Sequence, residues 1–461
     1  MAKKIRMREI SSLELITGHL ERIREINPAI NAVVELLADS ALRDAQAADA
    51  RLAANEPCGE LHGVPLSIKD SIDVQETKST AGTTGRRNAA PAQQDAALVH
   101  RLRKAGAIPI AKTNLPDLLF SFETDNLIYG RSNNPYDLTR TPGGSSGGES
   151  ALIAACGSPL GLGSDCAGSV RVPAAFCGIA GIKPTSGRLP RTGHVPPSGG
   201  WVEALWQIGP MARYTEDLIL AMRLLAGEDG VDFTVLPGPF IEAPNLGAIR
   251  VAFFTDNGFA QCTEEVRDAV RKSAEFLAKT CMKVEERRPP GVERAYELEL
   301  ALLGADGADG IDQYLKEAGS TEVHPLLTGF VNHMRPFRAT ASQFAQRWAQ
   351  WDDYRAALTR FFQHYDAILC PVYTQPALPH GDSLKENNFE GFSYTMAWNV
   401  AGAPAATVRC SESGGLPINV QIVTKPWRDV LALEICQLLE NEFGGWKAPA
   451  LFRGHELEGH R

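Results

Sequence analysis

VPLSI (64–68) and AIPIAK (107–112) are short apolar runs of strand length, and DAALVHRLRKA (95–105) between them has helical character and stops at Gly106. Strand, helix and strand in that order predict a βαβ unit, and with it an α/β protein built on a parallel or mixed sheet. Outward from this unit the same logic extends to both ends. Ser11-Ser12-Leu13-Glu14 is a capping box that opens a helix toward Ile26. Residues 31–53 are alanine-rich and are expected to be helical. Thr215-Glu216-Asp217 caps a helix stopped by Gly227, IRVAFFT (249–255) is expected to be a strand, and Thr263 to Lys279 forms an amphipathic helix. Residues 290–360 show helical segments and no strand. Strand signals return at 367–372, 405–409 and 418–423, and a helix from Asp429 to Glu442 closes the fold.

At roughly 150 residues per domain, 461 residues suggest about three domains. No repeat or linker divides the chain, so the expected organisation is simpler. A helical segment, 1–60, packs on a single domain, 61–461, which carries a helical insertion at about 260–360. Apolar residues at 44% and charged residues at 22% exclude disordered and fibrous classes. A net charge of −9 excludes broad binding to a phosphate backbone, so no nucleic-acid partner is expected. MAKKIRMREISS at the start has no apolar run behind it, and Ala151 to Gly163 is too short to span a bilayer. Nine cysteines without a CxxC pair fit reduced thiols and a cytoplasmic setting. His455-Glu456-Leu457-Glu458-Gly459-His460 superficially resembles a zinc helix, but its histidines are five apart where HExxH needs four. A polar tail is expected there, and neither metal nor cofactor.

Three features carry chemistry. Gly143-Gly144-Ser145-Ser146-Gly147-Gly148 can be a phosphate loop, a GxSxG nucleophile elbow or a glycine-rich turn; the first lacks its lysine. Gly163-Ser164-Asp165-Cys166-Ala167-Gly168-Ser169-Val170-Arg171 has small residues whose N–H groups could converge on an oxyanion. The alternative is a loop serine bonded to its own backbone. Asp165 and Arg171 are expected to pair across this turn in a structural role. Lys69 ends an apolar strand. It is either solvated or buried, and burial would lower its pKa and make it a usable base. Asp70 and Asp73 would oppose that if they lie close and ionised.

Together these features resemble the amidase signature family: Lys69 in PLSIKD, Ser145 in PGGSSGG and Ser169 in GSDCAGSVRVPAAFCGIAGIKPT. Further matches are KTNLPD (112–117), QIGPMAR (207–213), YDAILCPV (365–372), NVAGAPAATV (399–408) and GLPINVQIV (415–423), so the resemblance covers about 10–445. It implies a central mixed β-sheet with helices on both faces. It also implies a Ser–cis-Ser–Lys triad in which Ser169 is the nucleophile, Ser145 the bridge and Lys69 the base, with Gly144 accommodating the cis bond. The N–H groups of Cys166, Ala167, Gly168 and Ser169 would form the oxyanion hole. Ser146, Asp165 and Arg171 would support the loops. Ala167 stands where the family usually has glycine, and Cys166 is read as an apolar loop residue. Leu119, Phe120 and Phe122 would line the acyl side of the cleft, with Trp201 and Trp206 at its mouth.

The implied activity is C–N hydrolysis of apolar or aryl amides through an acyl-enzyme, by a monomer or homodimer. Anilides, urethane-type carbamates and esters share the tetrahedral step. Other readings are an amidotransferase component that works on aminoacyl-tRNA, a His-dependent α/β-hydrolase using Ser145, and a binding protein that keeps the fold.

Overall fold

The computed structural model describes residues 1–452 except Ser198 and Met282. The motif at 455–460 lies outside the described residues. Eleven strands form one mixed sheet: β1 (Val33–Leu36), β2 (Pro65–Lys69), β3 (Ile108–Thr113), β4 (Leu160–Asp165), β5 (Ala180–Lys183), β6 (Gln207–Ala212), β7 (Arg250–Phe253), β8 (Lys283–Glu286), β9 (Ala367–Pro371), β10 (Ala405–Ser413) and β11 (Leu416–Thr424). Their spatial order is β1-β3-β2-β4-β6-β5-β10-β11-β9-β7-β8. β2 runs parallel to both β3 and β4, and the helix Ala97–Lys104 makes the expected crossover between β2 and β3. Every residue of β2, β3, β4, β5, β6, β9 and β11 is buried. Helices cover both faces, which is why β2, β3 and β9 read as continuous apolar runs rather than alternating ones. Among the described residues no helix is long and apolar enough to cross a membrane.

Three expectations need correction. Residues 31–53 are not one helix. The preceding helix, Ser12–Ile30, ends at Asn31 in the left-handed region, and Asn27 Oδ1 accepts the N–H groups of Ala32 and Val33. The chain then pairs antiparallel with β3 as β1, and helix Ala38–Ala53 starts after it. The segment 1–60 therefore contributes an edge strand as well as helices. Thr215 does not cap its helix but begins it, after Tyr214, and Glu440 accepts its N–H. Finally, 260–290 is not helical insertion. Helix Glu264–Leu277 joins β7 to β8, and these pair in parallel. The purely helical stretch runs from Val292 to Phe361 before β9 returns. KVEE in β8 shows no apolar pattern because it is a charged edge strand.

The parallel arrangement has a functional consequence. β2 and β4 end side by side, so Lys69 and Asp165 emerge at the same rim of the sheet. The carboxyl ends of parallel strands are where open α/β sheets place their ligands.

Candidate active site

Lys69 is fully buried at the end of β2. Its Nζ lies 2.7 Å from Ser145 Oγ, 3.0 Å from Ser146 Oγ and 3.1 Å from Ser164 Oγ. Burial disfavours the ammonium form and pulls its pKa down to about 7, against the opposing charges of Asp165 and Glu149. Glu149 is itself buried, and burial raises its carboxyl to about 7. It accepts hydrogen bonds from Ser67 Oγ and Thr113 Oγ1. The condition under which Asp70 and Asp73 would oppose this is not met, since the charges acting on Lys69 are those of Asp165 and Glu149. The Asp70 carboxylate accepts from Thr80 and lies 3.7 Å from Lys112 Nζ, and the charge of Asp73 also acts on Lys112.

Ser145 follows a cis peptide bond from Gly144. A Cβ at Gly144 would lie 2.6 Å from the Ser121 carbonyl oxygen and 2.7 Å from the backbone of Glu123, so no side chain fits there. Ser146 Oγ donates to the Ser164 carbonyl at 3.3 Å, leaving it an acceptor toward Lys69. The Ser146 N–H donates to the Ser169 carbonyl at 3.1 Å, which ties the two serine loops together.

The second loop is built around a buried ion pair. Asp165 and Arg171 are both fully enclosed and meet at 2.9 Å. Burial acts to raise the Asp165 carboxyl, but Arg171 and Asn399 overcome it and hold the group well below the usual carboxylate range. Arg171 also donates to Thr395, Gln421 and Asn399. Asp165 accepts the N–H groups of Gly168 at 2.8 Å and Val170 at 3.1 Å. This alters the expected oxyanion hole. The Gly168 amide is committed to Asp165, which leaves those of Cys166, Ala167 and Ser169 as the candidates. Gly168 itself has φ +126°, and a Cβ there would sit 2.3 Å from Thr395 Oγ1. Burial pushes the Cys166 thiol well above its ordinary range, which keeps it protonated and suits its reading as a loop residue.

A cavity of about 340 Å³ opens onto Ser145 and Ser169. Leu118, Leu119, Phe120 and Phe122 line one wall with Phe330; His194, Trp201 and Trp206 lie on another. All five apolar residues expected at the cleft therefore reach it. Leu118 and Leu119 have φ of +50° and +66°, unusual for branched residues, so the chain bends sharply where it lines the cavity. Phe120 packs edge-on against Phe330, and Phe122 stacks on Phe392, which also makes it part of the core. Asp306 also lines the cavity, its carboxylate accepting the N–H groups of Ala308 and Gly310.

The sequence motifs assign no role to Ser164, Glu149 or His194. Ser164 is visible inside the second loop motif. His194 carries no local signal; its place depends on a turn that brings it to the end of β2. Among the described residues no histidine hydrogen-bonds Ser145 or Ser169. Nor does any group of three or more His, Cys, Asp or Glu among them have a metal-holding arrangement.

Known proteins are similar to nearly the whole chain. The family model described as Amidase matches residues 14–433. An indoleacetamide hydrolase of Bradyrhizobium diazoefficiens is 32% identical over 454 residues, covering 96% of this chain and 86% of the relative. One component of the glutamyl-tRNA(Gln) amidotransferase of a Roseiflexus species is 33% identical over 456 residues, covering 93% and 92% respectively. A solved fatty acid amide hydrolase superposes with a TM-score of 0.86 at 26% identity, over 96% of this chain and 84% of that one.

Proposed function

The chain belongs to the amidase signature family and is an amide C–N hydrolase, and from that premise we propose that Ser169, Ser145 and Lys69 perform the reaction through an acyl-enzyme. The observation that carries this is the buried Lys69 amine, 2.7 Å from Ser145 Oγ and with its pKa drawn down to about 7. A serine hydroxyl is a weak nucleophile until a base removes its proton. Ser145 can give its proton to neutral Lys69 while taking one from Ser169, because a hydroxyl is both donor and acceptor.

Ser169 Oγ then attacks the amide carbonyl carbon. The tetrahedral oxyanion rests on the N–H groups of Cys166, Ala167 and Ser169. The proton held on Lys69 returns through Ser145 to the leaving nitrogen as the C–N bond breaks. Water, activated by the same relay, then cleaves the ester on Ser169 and releases the acid. Gly168 contributes differently: its bond to Asp165 shapes the loop. Asp165 and Arg171 fix the loop from beneath.

The substrate is an apolar or aryl amide. The cavity wall supports this, with Phe120, Phe122, Phe330 and two tryptophans against few charges. The relative named for indoleacetamide supports an aromatic acyl group. Esters, anilides and urethane-type carbamates are expected side substrates because they pass through the same tetrahedral step. The amidotransferase relative favours a second reading, in which the chain works on aminoacyl-tRNA together with partner proteins. Hydrolysis of aryl amides by the purified chain alone supports the first reading. Activity appearing only with tRNA and added partner proteins supports the second. Replacing Ser169 or Lys69 by Ala tests the triad: both variants should fold and lose hydrolysis.

A further inference from the structure

We propose that His194 is a positioning residue, which holds the Ser164 hydroxyl as an acceptor and so turns the Lys69 lone pair toward Ser145. The inference rests on Lys69 being the base. His194 Nδ1 lies 3.1 Å from the Pro196 carbonyl oxygen. A carbonyl only accepts, so Nδ1 carries the ring proton and Nε2 presents a bare lone pair. Two hydroxyls converge on this single lone pair and share it as donors: Ser71 Oγ at 3.1 Å and Ser164 Oγ at 3.2 Å. A serine hydroxyl has one proton. With that proton directed at His194, Ser164 Oγ offers only lone pairs to Lys69 Nζ, 3.1 Å away.

Ser146 is fixed in the same sense, because its own proton goes to the Ser164 carbonyl. A neutral amine has two N–H bonds and one lone pair. Ser146 and Ser164 take the two N–H bonds, so the lone pair faces Ser145 Oγ. If His194 is removed, the Ser164 hydroxyl is free to rotate its proton onto Nζ and compete with Ser145. The imidazole is fixed in place by the Trp206 ring, 4.5 Å away between centroids. It is buried, and burial keeps its pKa near 3, so it stays neutral wherever the enzyme works. The charged groups facing it are Lys69 and Arg191, and those facing Lys69 are Asp165 and Glu149.

The test compares kcat, KM and pH profiles for wild type, His194→Phe, His194→Gln, Ser164→Ala, the Phe/Ala double variant and Lys69→Ala, on a chromogenic aryl amide. His194→Phe should lower kcat by about tenfold to a hundredfold, a share of what general-base catalysis contributes. KM should stay within about twofold. The acidic limb should move to lower pH, because the ammonium loses an acceptor and the free amine gains a donor. His194→Gln should recover most of kcat, since its amide oxygen can accept from Ser164. Ser164→Ala should also lower kcat and move the limb down, and the double variant should lose no more than either parent.

A wild-type profile in His194→Phe overturns the proposal. So does a loss confined to KM, a fall in kcat with an unmoved limb, no recovery in His194→Gln, or additive losses. If His194→Phe does not fold, Ser164→Ala decides by the same two readouts. Activity surviving in Lys69→Ala refutes the base assignment itself. An inactive Lys69→Ala beside a wild-type His194→Phe refutes only the role of His194.

Discussion

Lowering the pH should switch this enzyme off through Lys69, and the structure sets where. An ordinary lysine, with pKa 10.5, would be about one part in 3,000 neutral at pH 7. Burial brings Lys69 to about 7, so about half of it is neutral at that pH. The gain in available base is about three orders of magnitude. The sign follows from the role. The base works deprotonated, so kcat/KM should rise with pH through about 7 and level off above about 8. Two units below the midpoint, about 1% of the plateau rate should remain. Initial rates on a p-nitroanilide between pH 5 and 10, with folding checked by circular dichroism at each pH, provide the measurement. A rate maximum near pH 5 would refute a neutral lysine base. A limb near pH 10 would refute the argument that burial lowers its pKa.

Three further outcomes are expected. Ser169→Ala and Lys69→Ala should each reduce kcat by at least about three orders of magnitude while a thermal melt stays cooperative, as triad deletions generally do. Arg171→Ala should destabilise the fold by about 3–5 kcal/mol in denaturant titrations, because it strands the buried carboxylate of Asp165. Trp201→Ala should lower kcat/KM for aryl amides about tenfold more than for acetamide, a size-selective loss of apolar contact.

The parallel unit of β2, the helix Ala97–Lys104 and β3 was legible because each piece is long enough to show its period and each boundary has a stop. β1 and β8 were not, for the same physical reason. Each has four residues at a sheet edge, and pairing with a neighbour rather than side-chain pattern makes it a strand. The site divides along similar lines. Lys69, Ser145 and Ser169 were readable from motifs, and the structure brings Lys69 to Ser145 and opens both serines onto one cavity. The commitment of the Gly168 amide to Asp165 was not readable, since a run of small residues does not say which acceptor each N–H meets. Adjacency in sequence left open whether Asp70 acts on Lys69. Asp70 lies in the turn just past the end of β2, and its carboxylate faces Lys112 instead. His194 came from a distant turn and needed the tertiary structure to be seen at all.

The proposed mechanism turns on Ser169, and not Ser145, forming the bond to the acyl group. Reaction with a fluorophosphonate followed by peptide mapping tests it most directly. A single adduct is expected on the peptide containing Ser169, absent in Ser169→Ala and slowed in Lys69→Ala. An adduct on Ser145 that persists in Ser169→Ala would contradict it.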